Sequence, residues 1–259
     1  MRIWPLVITI SRDLGLYGLL EKSLRKMPYK FEKTTLSLDE KDVIDTDTQA
    51  LIGQHGVTVA RRRPGYGNWN GWDSCLVYFS VLTSLFKGGK IASEDYVMDV
   101  DADVVFLGTS FTEALDGSEL VGVPIIGKSL EFLKYGINKW NHFSGAFLII
   151  RGSLLQKISE SESKGFPGLR EEIKSAKCSL CDDVSISMYC LMNGLKTKPL
   201  DRGKTIQSRS EDIPWGKCRP SADIIHWEGS GRWKSFMGIP VNGRAEIPLA
   251  IKKAGVNWP

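Results

Sequence analysis

Three aspartates lie at alternate positions in the middle of the chain, at Asp99, Asp101 and Asp103. Carboxylates this close repel one another and cost stability unless a cation or a cluster of hydrogen-bond donors lies among them. Apolar runs at 96–98 and 104–107 flank the three acids. Because such runs indicate buried strands, the acids are expected at the carboxyl end of a central strand. A divalent cation site is therefore the first hypothesis, and ordinary solvated loop acids are its alternative.

Two known motifs begin in the same way and can be compared position by position. An EF-hand loop counted from Asp99 needs Gly at its sixth position and Glu at its twelfth, but Val104 and Ser110 stand there. That motif is therefore excluded. A haloacid-dehalogenase-type phosphohydrolase uses D-x-D-x-[TV] after an apolar strand, which residues 101–105 fit, with Asp182-Asp183 as a later acidic pair. That motif usually stands on the first strand of its fold, whereas about a hundred residues precede it here. The phosphohydrolase stays an alternative.

A third comparison covers more of the chain. Residues 96–105 resemble the apolar-apolar-x-D-x-D-apolar signature of GT-A glycosyltransferases, with Asp101 and Asp103 as the pair. The segment that begins at His226 looks like the H-x-x-G-x-x-K-P-W segment of the glycogenin and lipopolysaccharide galactosyltransferase group. Arg232 replaces the Lys, no Pro follows, and Trp233 stands one position early. The resemblance spans roughly residues 3 to 233. The chain is also similar to small glycosyltransferases of large algal viruses.

This resemblance implies a metal-dependent enzyme that moves a sugar from a nucleotide-diphosphate sugar, in the first place a UDP-sugar, to a hydroxyl of a glycan or glycoprotein acceptor. Asp101, Asp103 and His226 would bind Mn²⁺ or Mg²⁺, with Asp101 also beside the donor. The cation would neutralise the charge that develops on the diphosphate leaving group. Gly229 and Arg232 would approach the diphosphate. Arg232 is a suitable partner for it, because a guanidinium can bind two oxygens at once. A non-catalytic sugar- or nucleotide-binding module on the same fold is the second alternative.

Further donor contacts are implied near the amino end. Ser11, Arg12 and Asp13 follow the first strand, where the GT-A fold receives the base and ribose. The loop 61–73, which contains Arg61 and Trp72, offers cations to a diphosphate and rings to a base or sugar. Single-stranded nucleic acid would also suit such a loop, and a solvated turn-rich loop is the plain alternative.

The acceptor side is implied by two other segments. Gly145 lies in a segment that resembles the S-G strand lining the sugar pocket of this fold, although Phe143 stands in place of the usual Asn. Asp182-Asp183 resembles the acidic pair that opens a helix after the acceptor loop, and Asp183 would serve the acceptor hydroxyl. In inverting enzymes of this fold the second acid deprotonates that hydroxyl, whereas in retaining ones an acid here helps to position the sugar. Acids also favour helix N-termini for capping, so a structural role stays open for both.

Composition narrows the class of protein. The chain has 259 residues, 42% hydrophobic and 25% charged, which is ordinary for a globular protein. A net charge of +4 with scattered basic residues predicts no nucleic-acid partner. No apolar window reaches the roughly 18 residues of a membrane span, and Pro5 interrupts the apolar start, so neither a span nor a signal peptide is expected.

The cysteines bear on the compartment and on a second metal site. Five cysteines without an export signal predict a reduced, cytoplasmic setting, which would be the host cytoplasm for a viral protein. Cys178 and Cys181 form one CxxC, and no second CxxC or histidine pair accompanies it. A structural zinc site is therefore disfavoured.

The elements that must position these residues follow from periodicity and from stop signals. Strands are expected at Leu6–Ile10, Val57–Ala60, Tyr96–Val100, Val104–Leu107 and Gly145–Arg151. Helices are expected at Gly15–Lys26, from Asp39 toward Ile52, from Asp73 to Gly88, from Ser153, and from Asp182 or Asp183 to Met192. Residues 159–177 are expected to form an exposed excursion.

Alternating strands and helices predict an α/β fold with a mostly parallel central sheet and helices on both faces. Ligands of such sheets bind beyond the carboxyl ends of the strands. The resemblance implies a single Rossmann-like GT-A domain over residues 1–259. Its nucleotide-binding half would be 1–108, its donor-sugar and acceptor half 109–235, and its tail 236–259.

Overall fold

A computed structural model describes residues 1–9, 14–64, 71–125, 130–132, 137–140, 142–176, 180–208, 223–226, 235–236 and 239–240. The strands are β1 Ile3–Ile8, β2 Thr35–Asp39, β3 Thr58–Arg62, β4 Tyr96–Val100, β5 Val104–Phe106, β6 Leu120–Pro124, β7 Leu130–Phe132, β8 Ile137–Trp140, β9 Phe143–Arg151, β10 Thr197–Pro199, β11 Ile206–Ser208, β12 Ile224–His226, β13 Ser235–Phe236 and β14 Ile239–Pro240. The helices are α1 Leu14–Arg25, α2 Thr46–His55, α3 Trp72–Lys87, α4 Gly152–Glu162, α5 Leu169–Ser175, α6 Asp182–Met192 and α7 Arg202–Thr205, with a short 3-10 turn at Ser110–Ala114.

Seven strands form the main sheet, in the order β10-β6-β9-β4-β1-β2-β3. Strands β4, β1, β2 and β3 are parallel neighbours, and β10 is parallel to β6. Strand β9 runs antiparallel between β4 and β6. The carboxyl ends of the parallel strands and the beginning of β9 therefore meet at one edge. This mixed α/β fold with a mostly parallel sheet confirms the predicted fold class.

Hydrophobic side chains of the sheet divide between its two faces. Val7 and Met98 pack in a cluster with α1 and α2, whereas Leu6 and Val97 pack in a second cluster with α3, α4, α5 and α6. Successive residues of a strand point to opposite faces, so adjacent residues of β1 and β4 enter different clusters. Burial on both faces explains why these strands read as continuous apolar runs. No helix in the described ranges combines the length and apolar character that crossing a bilayer requires.

A small second sheet lies beside the end of β4, in the order β11-β12-β5. Strand β5 follows the acid cluster directly, and β12 pairs with it antiparallel, with Ile224 opposite Phe106 and His226 opposite Val104. A segment from the last part of the chain is thereby brought to the acids in its middle.

Two predicted elements are wrong, and β1 starts at Ile3, three residues before the predicted start at Leu6. Asp39 does not begin a helix, because it ends β2, where Leu36 and Leu38 are buried. Helix α2 starts at Thr46 instead, and the Asp45 carboxylate accepts a hydrogen bond from Thr48 N at 2.8 Å. Residues 159–177 are not a plain exposed excursion either, since they contain the end of α4 and all of α5, whose apolar side of Leu169 and Ile173 is buried.

Candidate active site

Asp99 lies apart from the other two acids. It is on β4, is 6% exposed, and accepts a hydrogen bond from Tyr78 Oη of α3 at 2.8 Å. Burial raises the pKa of Asp99 well above its ordinary value, and the Tyr78 hydrogen bond offsets only part of that effect. Asp99 is therefore a buried partner of α3 and does not join the candidate cation site.

Asp101 and Asp103 stand in the turn that joins β4 to β5. Val104 N donates to Asp101 O at 3.2 Å, which closes the turn, and Asp101 N donates to Ala146 O of β9 at 3.2 Å. The turn directs the two carboxylates to the same side. The Asp101 side chain is 33% exposed and that of Asp103 is 10% exposed. One acid is thus accessible to a ligand, while the other is nearly enclosed.

His226 completes the group. Its Nε2 lies 3.3 Å from Asp103 Oδ1 and 3.4 Å from Asp101 Oδ2, and its side chain is 12% exposed. One ligand atom from each of the three residues lies within 4.8 Å of the others. Within the described ranges, this is the one group of three such side chains close enough to share an ion. The structure therefore brings the three predicted metal ligands together.

The charges in this group favour a positive ion. Burial alone would lower the pKa of His226, but hydrogen bonds to Asp101 and Asp103 outweigh it and raise the pKa to about 10. Burial raises the pKa of Asp101, and the charge of Asp103 adds to that effect. Without an ion, the protonated imidazole supplies the positive charge that the two carboxylates favour, and a divalent cation bound there would displace its proton. Two oxygen ligands and one imidazole nitrogen fit Mn²⁺, while Mg²⁺ prefers oxygen ligands alone.

The acidic pair begins α6, as predicted from the sequence. Asp183 Oδ1 accepts hydrogen bonds from Val184 N and from Cys181 Sγ, both at 2.7 Å. Asp182 Oδ1 accepts from Asp183 N at 2.9 Å. One oxygen of each acid is therefore used at the helix N-terminus, where acids are stabilised by the unpaired amides.

The second oxygen of Asp183 faces a histidine that motif comparison does not identify as a site residue. His142 Nε2 lies 3.6 Å from Asp183 Oδ2, and both side chains are half-buried. Burial lowers the pKa of His142, and the Asp183 carboxylate raises it in part. The signal that the sequence offered for His142 was the rarity of histidine, because the chain has only 3 of them. Two of them, His142 and His226, contact acids of the candidate site.

Gly145 allows α6 to approach the sheet. A Cβ at Gly145 would lie 3.3 Å from Asp183 Cβ, tighter than an ordinary contact. The next residue, Ala146, accepts the hydrogen bond from Asp101 N. The acidic pair and the Asp101 turn therefore lie against the same short stretch of β9. The charge of Asp183 acts on Asp101 and contributes to its raised pKa.

The two arginines at the end of β3 have different surroundings. Arg61 is exposed, and its Nη1 donates to the carbonyls of Asp39 and Asp42 at 3.0 and 2.7 Å. Arg62 is buried and donates to the carbonyls of Ser37 and of Thr9, the latter at 2.6 Å. Arg62 therefore ties together the ends of β1, β2 and β3, at the edge where the base and ribose were expected.

Of the other residues predicted to contact the donor, some lie within the described ranges and some do not. Trp72 begins α3 and packs, partly buried, against the hydrophobic cluster on that face of the sheet. Outside the described residues lie Ser11, Arg12, Asp13, Gly229, Arg232 and, in the CxxC, Cys178.

Comparison with known proteins identifies the fold. No family model and no curated protein matches the sequence. Galactosyltransferase LgtC in complex with donor and acceptor sugar analogues matches with a TM-score of 0.57 and 12% identity, over 88% of this chain and 88% of that chain. An active-site mutant of LgtC matches with a TM-score of 0.56 and 12% identity, over the same 88% shares.

Mouse xyloside xylosyltransferase 1 in its apo form is also similar, with a TM-score of 0.55 and 10% identity, over 88% of this chain and 98% of that chain. All three structures are of glycosyltransferases. The likeness shows that the chain has the GT-A fold that the resemblance implied.

Proposed function

We propose that this protein is a metal-dependent glycosyltransferase, which moves a sugar from a nucleotide-diphosphate sugar to a hydroxyl of a glycan or glycoprotein acceptor. A UDP-sugar is the first donor to test. The observation that carries the proposal is the group of Asp101, Asp103 and His226, whose ligand atoms lie within 4.8 Å of one another at the carboxyl edge of the sheet. Its likeness in fold to glycosyltransferases supports the same reaction class.

In this proposal Asp101, Asp103 and His226 hold Mn²⁺, or less favourably Mg²⁺. When bound, the ion supplies positive charge that neutralises the diphosphate as it leaves. Asp103 and His226, the more enclosed pair, would fix the ion against the protein. Asp101, at 33% exposure, would face the donor.

The remaining donor contacts are proposed from their position along the chain. The base and ribose would lie beyond the carboxyl ends of β1, β2 and β3, where ligands of such sheets bind. The residues proposed to contact the donor are Ser11, Arg12, Asp13, Arg61, Trp72, Gly145, Gly229 and Arg232.

Asp183 is proposed to receive the proton of the acceptor hydroxyl, with Asp182 as a secondary acid. Asp183 Oδ1 is used by Val184 N and Cys181 Sγ, so Oδ2 is the oxygen available to an acceptor. In the transfer the acceptor oxygen bonds to the anomeric carbon, and the bond from that carbon to the diphosphate breaks. The hydroxyl proton passes to Asp183 Oδ2, and the nucleoside diphosphate leaves as the anion.

A ligand screen gives the first test. We would measure thermal unfolding of the chain with nucleoside diphosphates and nucleotide sugars, each with and without Mn²⁺, since a ligand that binds the native state raises the unfolding temperature. Stabilisation that requires both nucleotide and Mn²⁺ is expected. Stabilisation without any turnover would indicate the non-catalytic binding module instead.

A substitution gives the second test. Asp103→Asn is expected to abolish metal-dependent release of the nucleoside diphosphate while the protein stays folded. The matched control is Asp116→Asn, at an acid that pairs with Lys196 on the surface and should leave turnover unchanged. Full turnover in Asp103→Asn would overturn the proposal. Inorganic phosphate released from phosphomonoesters, with Asp101 phosphorylated, would instead establish the phosphohydrolase.

A further inference from the structure

Asp223 is a buried acid that immediately precedes β12, three positions before His226. It is 5% exposed, and its carboxylate accepts three hydrogen bonds from the 3-10 turn. Ser110 N donates to Oδ1 at 3.1 Å, while Ser110 Oγ and Phe111 N donate to Oδ2 at 2.7 and 2.9 Å. A buried carboxylate is stable only when donors satisfy it in this way, so its orientation is fixed by these bonds.

The main chain of the same residue is fixed as well. Asp223 O accepts hydrogen bonds from Leu107 N at 2.6 Å and Gly108 N at 3.0 Å, and Asp223 N donates to Lys204 O at 2.8 Å. Gly108 makes room for this arrangement, because a Cβ there would lie 2.6 Å from Asp223 Oδ1. Asp223 therefore connects three segments, namely the end of β5, the 3-10 turn and Lys204 of α7.

The turn that holds the carboxylate is itself anchored in the core. Phe111 is buried, and its ring centroid lies 5.0 Å from that of Phe147 of β9 and 6.1 Å from that of Phe106 of β5. Strand β9 also bears the Asp101 turn through Ala146. Asp223 thus connects β12 to the same packed elements that position Asp101.

The register of β12 decides whether His226 can reach the acids. Strand β12 has only three residues, and in the observed register His226 lies opposite Val104, the residue after Asp103. A slip of one residue would turn each side chain to the other face of the sheet. Strand β12 also pairs with β11 on its other side, but both ladders are only three residues long, and the hydrogen bonds of Asp223 add to them on the β5 side.

We propose that Asp223 is the positioning residue of the metal site, which fixes β12 on β5 in the register that directs His226 to Asp101 and Asp103. Asp223 contacts neither the ion nor the substrate and acts through His226. The identity of the ion rests on the proposed function, whereas the position of the imidazole does not. The two can therefore be tested separately.

The first experiment measures Mn²⁺ affinity of the full chain, from the electron paramagnetic resonance signal of free Mn²⁺, without nucleotide. Asp223→Ala is expected to weaken affinity by about tenfold or more, because the imidazole would no longer be held at the acids, and loss of groups that orient metal ligands typically has an effect of this size. Asp223→Asn keeps one oxygen that can accept hydrogen bonds, so its Mn²⁺ affinity is expected to fall less than that of Asp223→Ala. Asp223→Ala that is folded and binds Mn²⁺ like the wild type would overturn the inference.

Asp95 provides the matched control. It is also a buried acid that joins distant segments, accepting hydrogen bonds from Arg2 N, Arg2 Nε and Ala92 N at 2.9, 3.0 and 3.1 Å. It precedes the other end of β4, away from the acids. Asp95→Ala is expected to lower the unfolding temperature and to leave Mn²⁺ affinity unchanged, which separates a positioning effect from a general loss of stability.

A second variant guards against a failure of Asp223→Ala to fold. Gly108→Ala would press on the Asp223 carboxylate and is expected to weaken Mn²⁺ affinity in the same direction. In the double variant with Asp223→Asn the two effects are expected to be less than additive, because they act through one contact. Additive losses would argue against the shared mechanism.

A crystal structure of Asp223→Ala without metal tests the geometry directly. His226 Nε2, now 3.3 Å from Asp103 Oδ1, is expected beyond hydrogen-bond distance in the variant. An imidazole that keeps its wild-type position refutes the inference whatever the chain binds. The proposed function fails by a different result, namely a wild-type chain that shows no Mn²⁺-dependent release of nucleoside diphosphate.

Discussion

Nε2 of His142 lies 3.6 Å from Oδ2 of Asp183, and that oxygen is the one left available by the helix N-terminus. The pair stands against the beginning of β9, which also bears the Asp101 turn. A carboxylate used as a base works best when no cation is held beside it, and a histidine changes its charge near neutral pH. The state of His142 therefore bears on the basicity of Asp183.

Asp183→Asn tests the proposed base. The amide keeps an oxygen that can accept from Val184 N, so the beginning of α6 is expected to stay intact. Loss of a general base typically costs on the order of 10²–10⁴ in rate, so kcat should fall by that factor while nucleotide affinity is retained. Steady-state kinetics and nucleotide titration measure the two quantities. Asp182→Asn is the control, and a larger loss there than at Asp183 would reverse the two roles.

The pH dependence follows from the sign of the His142 shift. Burial lowers the pKa of His142 below its ordinary value of about 6.5, so the imidazole is neutral at pH 7 and becomes charged only on further acidification. Charged His142 would pair with Asp183 and weaken it as a base. At saturating Mn²⁺, kcat/KM of the wild type is expected to fall as the pH drops below 6.5.

His142→Gln tests whether His142 causes that fall of kcat/KM at low pH. Residue 142 cannot become charged in the variant, so kcat/KM is expected to persist to lower pH than in the wild type. Near pH 7.5 the two proteins should have similar rates. Profiles of kcat/KM between pH 5 and 8 that superimpose for both proteins would show that His142 does not control Asp183.

The imidazole of His226 predicts a metal preference. It provides the one nitrogen among the three proposed ligands, and nitrogen ligands suit Mn²⁺ better than Mg²⁺. His226→Asp is therefore expected to weaken Mn²⁺ binding and to narrow the preference for Mn²⁺ over Mg²⁺. Isothermal titration with each ion measures both effects. An unchanged ratio of affinities would place the imidazole outside the ion's ligands.

Much of the framework could be predicted from apolar patterns. Tyr96–Val100 is a buried strand as predicted, and α6 begins at Asp182 and ends at Met192 as predicted, because long apolar segments bounded by clear stop signals leave little choice. Strand β2 was missed because its five residues, Thr35–Asp39, give only a short signal, although their alternation of Leu and polar residues is typical of a strand. Its last residue, Asp39, is also a common helix cap.

The site was less accessible to sequence reasoning. That Asp101, Asp103 and His226 would meet came from resemblance to known motifs, since spacing along the chain does not determine which loops converge. The role inferred for Asp223 depends on hydrogen bonds to residues 110 and 111, more than a hundred positions earlier. No local pattern marks such a contact. His142 was likewise not predicted, because a lone histidine belongs to no motif and only the rarity of histidines in the chain marks it.

Arg61 and Arg62 differ in burial, although their positions in the sequence look equivalent. Sequence alone cannot tell which arginine of the run Arg61 to Arg63 enters the protein, but strand alternation sends Arg62 inward, where its Nη2 lies 2.9 Å from Asp39 Oδ1. Removing this buried guanidinium would leave the carbonyls of Ser37 and Thr9 without its hydrogen bonds and the Asp39 carboxylate without its counter-charge. Arg62→Ala is expected to reduce the free energy of unfolding by about 3 kcal/mol.

Arg61, the exposed neighbour of Arg62, provides the control for that loss of stability. Arg61 donates only to carbonyls at the surface, so Arg61→Ala should change the free energy of unfolding by less than about 0.5 kcal/mol. Urea denaturation of both variants measures the difference. If Arg61 contacts the diphosphate as proposed, Arg61→Ala will raise KM for the donor without this loss of stability. Equal destabilisation by the two variants would contradict the buried role of Arg62, whose guanidinium donates to the carbonyls of Thr9 and Ser37 at the carboxyl edge of the sheet.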